Sequence, residues 1–266
     1  MKILVFSDLH YYAGDMETAI FNKKRKLVRY ALPMLDRLTE VANEEYLPDI
    51  VVNLGDIIQD TTEREGDLFA LRFMYDRLKR INAPCYSVLG NHDLKMMDSI
   101  EEVEKIMGHK SSYSLDYDGW HLVFLTNEVR AELGTERGGC YKTQYIGKAT
   151  LEWLKADLDS SDLPSLVFTH FGVAEDSEIT DGCMFMKNRE DLKDILVSHG
   201  RVKAVFSGHQ HIVRQHREGG IDYYVFGSMI NSSGTEDPDG CYAVIETEAE
   251  KLAVKNLSFT KEELRL

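Results

Sequence analysis

The segment Ile3-Leu4-Val5-Phe6-Ser7-Asp8-Leu9-His10 joins a short apolar run to two side chains that can bind a metal ion. Short apolar runs of this kind are typical of buried strands in an α/β sheet. Four more runs follow, and each also ends on potential ligands: Ile50 to Leu54 before Gly55-Asp56, Tyr86 to Leu89 before Gly90-Asn91-His92-Asp93, Leu166 to Phe168 before Thr169-His170, and Val202 to Phe206 before Ser207-Gly208-His209-Gln210-His211. Because open α/β sheets bind ligands at the carboxyl ends of their strands, we expect these strand ends to form one site.

The candidate ligands combine nitrogen and hard oxygen donors and include no sulfur. They are two carboxylates, one amide oxygen and four imidazoles: Asp8, His10, Asp56, Asn91, His170, His209 and His211. This mixture suits Mn, Fe, Zn, Co or Ni better than a structural zinc cage or a calcium site. The set is too large for one tetrahedral ion, but it fills two neighbouring sites if one carboxylate is shared. Asp56, on a middle strand beside Gly55, is the predicted bridge.

The ordered motifs Asp-x-His, Gly-Asp, Gly-Asn-His-Asp, a single His and Gly-His-x-His resemble those of the calcineurin-like metallophosphoesterase superfamily. The resemblance implies the metallo-dependent phosphatase fold, an α/β fold with four layers, α/β/β/α, in which two mixed β-sheets are flanked by helices. It also implies two divalent metal ions, one held by Asp8, His10, Asp56 and His211, and the other by Asp56, Asn91, His170 and His209.

His92 lies between a predicted ligand and an acid, and we expect it to act as a general acid without binding metal. Two close divalent ions can neutralise charge on a phosphoryl group and lower the pKa of a shared water. A metal-bound hydroxide would then attack phosphorus while His92 protonates the departing oxygen, a role that the resemblance implies too. Asp93 is the predicted catalytic partner that holds the His92 imidazole, and Asp60 is the alternative acid.

Departures from related subfamilies narrow the expected activity. Purple acid phosphatases carry a Tyr three residues after the Gly-Asp aspartate, where this chain has Gln59, and the Asp-Arg-Gly of protein Ser/Thr phosphatases is missing after Asp56. The chain instead resembles compact bacterial phosphodiesterases, such as class III cyclic-nucleotide enzymes, and ADP-ribose/CDP-alcohol diphosphatases. We therefore expect a phosphoric ester hydrolase that cleaves a small, nucleotide-like phosphodiester. The alternatives are a phosphomonoesterase or nucleotide diphosphatase on the same centre, and a non-catalytic metal-binding scaffold.

The charge balance argues against long nucleic acid as a partner. Lys and Arg number 31 against 45 Asp and Glu, which gives a net charge of −14. Such a chain has no global field that attracts a polyanion, whereas a small phosphate ester needs only the local charge of bound metal ions. The cluster Lys23-Lys24-Arg25-Lys26 is interpreted as the solvated face of a helix.

The sequence also carries expectations about location and domain number. The amino terminus shows no signal peptide, no run reaches membrane-spanning length, and the cysteines are scattered without a Cys-x-x-Cys motif: Cys85, Cys140, Cys183 and Cys241. These features predict a cytoplasmic protein with reduced thiols and no membrane contact. Its length fits one metallophosphoesterase domain over residues 1–266. The oligomeric state is left open.

Helix patterns are predicted at about 20–43, with a kink at Pro33, and at 66–80, 98–107, 147–158 and 188–197. A hairpin is predicted from 112–117 and 120–126, and later strands at 223–226, 241–246 and 252–259. The long segments 127–146 and 171–187 are interpreted as loops that select substrate, and 231–240 as a surface turn. Four aromatic side chains could stack on a base or close the core: Tyr11, Tyr12, Phe171 and Phe185.

Overall fold

The computed structural model of the protein describes residues 1–14, 19–21, 24–61, 63–128, 144–174, 184–232, 237–260 and 263–264. The strands are β1 (Lys2–Phe6), β2 (Ala19–Phe21), β3 (Lys24–Lys26), β4 (Ile50–Asn53), β5 (Cys85–Ser87), β6 (Tyr113–Tyr117), β7 (Trp120–Leu125), β8 (Ser165–Thr169), β9 (Val202–Ser207), β10 (Arg214–Glu218), β11 (Ile221–Val225), β12 (Asn231–Ser232), β13 (Cys241–Glu248) and β14 (Lys251–Ser258). The α-helices are α1 (Ala31–Glu40), α2 (Arg64–Leu78), α3 (Asn91–Leu94), α4 (Ile100–Met107), α5 (Lys148–Ser160) and α6 (Arg189–His199).

Two mixed sheets form the centre of the fold. The first has the order β14-β13-β1-β4-β5. In it β1, β4 and β5 are parallel, β13 is antiparallel to β1, and β14 is antiparallel to β13. The second has the order β10-β11-β9-β8-β7-β6, with parallel strands in the middle and antiparallel strands at both edges. Parallel strands bring their carboxyl ends to the same edge, as the site requires.

Alternate side chains of each central strand face opposite layers. Ile3 and Val5 of β1 lie in the apolar interior between the sheets, where they share a cluster with Phe168 of β8. Leu4 and Phe6 face the other way and pack with α1, α2 and α4. On the far side, α5 and α6 cover the second sheet. This period of two along the strands produces the predicted four-layer α/β/β/α sandwich, which is confirmed.

The helix predicted over 20–43 is wrong in its first half. Residues 19–21 and 24–26 form the antiparallel pair β2 and β3, and α1 begins at Ala31 after a 3₁₀ turn over Val28–Tyr30. Within β3 the exposed Arg25 alternates with the buried Lys26, so the basic run follows a strand period. A π-helical turn, Val41–Tyr46, continues α1.

The segment 231–240 is not simply a surface turn, because β12 at its start is buried and pairs with β3. The two strands and β2 make a small third sheet of order β12-β3-β2. The edge strand β10 was also not predicted, since its side chains are mostly exposed and polar and leave no apolar alternation to detect. The remaining predicted helices and strands are found within a few residues of their expected bounds.

The two predicted substrate loops are described only at their ends, because residues 129–143 and 175–183 lie outside the described part. Phe171 and Phe185 at the loop ends are buried at 0% and 6% exposure, so they close the core. Tyr11 stacks on Phe73 at a centroid distance of 5.1 Å. Cys85 is a free thiol, and Cys140 and Cys183 lie outside the described residues. No helix in the described ranges has the length and apolarity needed to cross a membrane.

Candidate metal centre and active site

Histidine and aspartate side chains from both sheets meet in overlapping clusters at the carboxyl ends of the strands. One cluster holds Asp8, His10 and His211, and a second holds Asp56, His170 and His209, with the ligand atoms within 4.8 Å of one another in each. A third cluster of the same dimension links the two and consists of His10, Asp56 and His92. The structure thus brings together every predicted His and Asp ligand, as well as the predicted acid.

The backbone at this site is unusual. Five of the predicted ligands have a positive φ, a conformation that costs free energy for any residue with a Cβ and that recurs at functional sites. They are Asp8 (φ 56°), His10 (φ 49°), Asp56 (φ 52°), His209 (φ 62°) and His211 (φ 53°). The surrounding sandwich holds these five residues in the left-handed backbone conformation. The backbone strain is therefore concentrated at the carboxyl ends of the strands, where the candidate ligands lie.

Gly90 is required by a close approach between two strand ends. A Cβ at this position would lie 2.1 Å from Oδ1 of Asp56 and 2.6 Å from its backbone nitrogen. Gly55 is constrained from the opposite side, because its φ is 97° and its Cβ would lie 2.5 Å from the Gly90 nitrogen. Glycine therefore lets the turn after β5 pass directly against Asp56.

Both carboxylates are fixed through one oxygen and present the other to imidazoles. Oδ2 of Asp8 accepts the backbone N–H of His209 at 2.9 Å, and Oδ1 lies 3.0 Å from Nε2 of His211. In Asp56, Oδ1 accepts the backbone N–H of His92 at 2.8 Å. Its Oδ2 lies 3.3 Å from Nε2 of His170 and 3.9 Å from Nε2 of His10. Oδ2 of Asp56 therefore faces both clusters.

Electrostatics keeps these two carboxyls ionised. Burial disfavours the charged form, but the neighbouring imidazoles outweigh it and hold the pKa of Asp8 and the pKa of Asp56 well below the usual range. The main imidazole is His211 for Asp8 and His170 for Asp56. The site thus offers fixed negative charge to a cation.

His170 is oriented by its outer ring nitrogen. Nδ1 donates to the carbonyl oxygen of Leu54 at 2.8 Å, which leaves Nε2 directed at Asp56 and at Nδ1 of His209, 3.2 Å away. Such a bond to the outer nitrogen is how proteins fix the tautomer of a metal-binding histidine. Burial lowers the pKa of His170, but the charge and hydrogen bond of Asp56, the charge of Asp8 and the hydrogen bond to Leu54 together outweigh burial and raise it to about 9. A cation at this position would replace that proton.

Asn91 tests whether the site fits a metal ion. Its Oδ1 is buried and has no hydrogen-bond partner among the described residues. Buried carbonyl oxygens are normally paired, because leaving one unpaired costs free energy. Together with the nitrogen and oxygen donors of the clusters, an amide oxygen without a donor fits a hard or borderline divalent cation.

His92 is paired with Asp60. Its Nδ1 contacts Oδ1 of Asp60, and the other oxygen of that carboxylate forms an ion pair with Lys95 at 2.7 Å. The His92 side chain is 16% exposed, and its Nε2 lies 3.9 Å from Oδ2 of Asp56. Burial and the charge of Lys26 lower the pKa of His92, opposed by Asp56 and Asp60. The imidazole therefore reaches the centre with one nitrogen and is held by a carboxylate at the other.

Asp93 is not the partner of His92, which corrects the expectation from the sequence. Its carboxylate is fully buried and accepts backbone N–H groups from Asp56 at 2.8 Å, Gly90 at 2.9 Å and Ile58 at 3.2 Å. Adjacent residues in a helical turn point in different directions, so sequence proximity to His92 did not imply contact. Asp93 instead fixes the turn that presents Asp56.

Lys26 and Gln59 lie at the site, although the sequence patterns did not predict either residue as part of it. Lys26 is 3% exposed, and its Nζ lies 3.3 Å from Nε2 of His92 and 3.4 Å from Nδ1 of His10. The same ammonium donates to Oε1 of Gln59 at 3.3 Å. Burial lowers the pKa of Lys26 to about 8, with the Asp56 charge opposing. The interpretation of the basic run as a solvated face is wrong for Lys26.

Comparison with known proteins agrees with this geometry. A model of the calcineurin-like phosphoesterase family matches residues 1–213. The chain belongs to the calcineurin-like phosphoesterase family. A probable cyclic nucleotide phosphodiesterase of Xenorhabdus bovienii is 27% identical over 221 residues, which are 80% of this chain and 80% of that protein.

Two further similarities lie at lower identity. A manganese-dependent ADP-ribose/CDP-alcohol diphosphatase of Arabidopsis thaliana is 20% identical over 245 residues, covering 78% of each chain. The crystal structure of a dimetal phosphatase from Danio rerio superposes with a TM-score of 0.78 at 18% identity and covers 97% of this chain and 96% of that one. The resemblance inferred from the motifs is confirmed, and so is the expectation of a metal-dependent phosphoric ester hydrolase.

Proposed function

We propose that this phosphoesterase hydrolyses a small, nucleotide-like phosphodiester at a centre of two divalent ions bridged by Asp56. The observation that carries the proposal is the position of Oδ2 of Asp56, 3.3 Å from the His170 Nε2 of one cluster and 3.9 Å from the His10 Nε2 of the other. One ion would be held by Asp8, His10, Asp56 and His211, and the other by Asp56, Asn91, His170 and His209.

The residues of the chain divide the chemistry between them. When bound, divalent ions at such a centre neutralise charge on the phosphoryl group and lower the pKa of the attacking water. His92 donates the proton to the departing oxygen from Nε2, because its Nδ1 is engaged by Asp60. Asp60 stabilises the charged imidazolium and fixes the ring, and Lys95 holds Asp60 in turn at 2.7 Å.

A nucleotide-sized substrate agrees with the charge of the chain and with its relatives. A net charge of −14 gives no long-range attraction for a polyanion. The Xenorhabdus relative is named as a probable cyclic nucleotide phosphodiesterase, and the Arabidopsis relative as an ADP-ribose/CDP-alcohol diphosphatase. The Arabidopsis name also specifies manganese, which makes Mn²⁺ the first ion to test.

The proposal is tested by loading the purified protein with Mn²⁺ and comparing bis(p-nitrophenyl) phosphate with p-nitrophenyl phosphate, followed by 3′,5′-cyclic AMP and ADP-ribose. We expect kcat/KM to be about tenfold or more higher for the diester, a difference of about 1.4 kcal/mol in barrier height. A strong preference for the monoester would contradict the proposal and favour a phosphomonoesterase. A preference for ADP-ribose over every ester would favour a diphosphatase. The Asp56→Asn protein is the blank.

A further inference from the structure

The small sheet places two polar side chains on one face. Asn231 of β12 is directly opposite Lys26 of β3, and opposed residues of antiparallel strands project to the same side. The next pair along the chain, Leu27 and Ile230, is joined by a backbone hydrogen bond of 2.8 Å and lies in the apolar core with α1. Since side chains alternate along a strand, Lys26 and Asn231 face away from that core.

Lys26 extends from this face into the active site. Its Nζ lies between Nε2 of His92 and Nδ1 of His10, at 3.3 and 3.4 Å. Gln59 orients the ammonium of Lys26. Its side-chain Oε1 accepts a hydrogen bond from Nζ of Lys26 at 3.3 Å, and its Nε2 donates one to Oδ1 of Asp60 at 3.2 Å. A buried ammonium next to the proposed acid adds positive charge on the side from which the leaving group departs.

Asn231 supplies an independent indication of a ligand. Its side chain is 0% exposed, and neither its amide nitrogen nor its amide oxygen has a hydrogen-bond partner within the described ranges. The chain just before it contacts the first ligand loop: Oγ of Ser228 donates to the carbonyl oxygen of Asp8 at 2.8 Å, and the N–H of Met229 to that of Ser7 at 3.3 Å. A buried amide that no described residue pairs with, on the face that carries Lys26, can take a partner from a bound ligand.

We propose that Lys26 and Asn231 form a subsite that binds an anionic phosphoryl oxygen of the substrate on the His92 side of the centre. The inference rests on the proposed function for the direction of departure, since His92 would protonate the leaving oxygen. An oxygen within hydrogen-bond reach of Nε2 of His92 is close to Nζ of Lys26, because the two nitrogens are 3.3 Å apart. Lys26 then holds a non-bridging oxygen of the same phosphoryl group.

This subsite explains how an acidic chain binds an anion with more than its metal ions. With a net charge of −14, the protein as a whole repels a phosphate ester. A single ammonium at 3% exposure acts in a site with little water, where its attraction for a phosphoryl oxygen is strong. Asn231 contributes a neutral donor and orients the group without adding charge.

The test measures binding of inorganic phosphate to Mn²⁺-loaded protein by isothermal titration calorimetry, with manganese content measured in parallel. For Lys26→Met and Lys26→Gln we expect the phosphate Kd to rise about 10- to 100-fold, as for loss of a hydrogen bond to a charged group, with manganese content unchanged. Lys26→Arg should recover part of the affinity. Asn231→Ala should raise the Kd by a smaller factor, about 3- to 10-fold.

Arg25→Met is the matched control, because it removes a neighbouring positive charge at an exposed position of the same strand and should leave the phosphate Kd unchanged. A wild-type Kd in folded Lys26→Met or Lys26→Gln would overturn the proposal. Equal losses of manganese and of phosphate binding would also overturn it, because Lys26 would then only support His10. Since binding is measured without turnover, absence of diesterase activity in the wild type would contradict the proposed function and leave this test valid.

Discussion

The backbone N–H of His92 donates to Oδ1 of Asp56 at 2.8 Å, so the proposed acid and the proposed bridging carboxylate are fixed to each other. Gly90 allows this contact, because any Cβ there would collide with the Asp56 carboxylate. Asp93 stabilises the same arrangement, because its carboxylate accepts the backbone N–H of Asp56 at 2.8 Å. The turn after β5 therefore fixes the backbone of the proposed proton donor directly against the proposed metal ligand.

Asp56→Asn should weaken metal binding and lower turnover together. The amide oxygen can still accept the His92 N–H, but the amino group that replaces Oδ2 cannot bind a cation shared between His170 and His10. We expect manganese per chain, measured by plasma mass spectrometry, to fall, and kcat to fall by about 10²-fold or more. Asp118→Asn is the control, since Asp118 is a solvent-exposed residue that also has a positive φ, 49°. Two fully retained ions in Asp56→Asn would rule out the bridge.

His92→Ala should keep its metal and lose the acid. For esters with an alkoxide leaving group we expect kcat to fall by about 10²- to 10⁴-fold, and for esters with a p-nitrophenolate leaving group by much less. The measurement is a series of esters with leaving groups of graded pKa. His216→Ala, at an exposed histidine, should behave as wild type. An equal loss across the series would count against the acid role.

Asp60→Asn and Asp93→Asn should have different effects. In the proposed mechanism Asp60 stabilises the His92 imidazolium through its contact with Nδ1, so its substitution should lower kcat by about tenfold or more, with the largest loss on poor leaving groups. In Asp93→Asn an amino group would meet backbone N–H donors, which should cost about 1–3 kcal/mol of unfolding free energy. Kinetics and urea unfolding of both proteins measure the two effects. A leaving-group dependence in Asp93→Asn but not in Asp60→Asn would reverse the assignment.

The ligands could be predicted from sequence because each follows its own buried strand, and parallel strands bring their carboxyl ends to one edge. Lys26 could not be predicted in the same way. Its partners His10 and His92 are distant in sequence, and its basic neighbours favoured an exposed helix. Asp60 was one of two acids, and only the three-dimensional contacts separated it from Asp93. The single-domain organisation stays a prediction.

The hydrogen bonds of Glu104, away from the active site, predict how the free energy of unfolding depends on pH. Oε1 accepts the N–H of Ser111 at 2.9 Å, and Oε2 pairs with Lys110 at 2.9 Å. Burial raises the pKa of Glu104, but these donors outweigh burial and hold it below its usual value. Since the folded pKa is depressed, the stabilisation is present above the unfolded pKa and is lost as pH falls through the folded one.

Glu104→Gln should therefore cost about 1 kcal/mol of unfolding free energy at neutral pH, and the difference from wild type should shrink below about pH 4. Urea unfolding at both pH values measures it. Glu44→Gln, at an exposed residue of the π-helical turn, is the control. A difference that stays constant or grows at low pH would contradict the assignment.

Removal of metal should lower thermal stability, because the folded chain concentrates charged and strained groups at one place. Asp8 and Asp56 are buried and ionised, and both have a left-handed backbone. A cation that binds only the folded state stabilises it by about 2.7 kcal/mol at 100 times its Kd. For a chain of this size that corresponds to a rise in Tm of roughly 5–10 °C.

Calorimetry of chelator-treated protein, titrated with Mn²⁺, measures this rise. Asp56→Asn should show a smaller rise than wild type, whereas Asp118→Asn should show the full one, because its carboxylate lies at an exposed turn. A wild-type Tm that is independent of Mn²⁺ would mean that the clustered donors do not bind this ion in the folded state. Repeating the titration with Zn²⁺, Co²⁺, Ni²⁺ and anaerobic Fe²⁺ ranks the metals, since the ion with the lowest Kd produces the largest rise at equal free concentration.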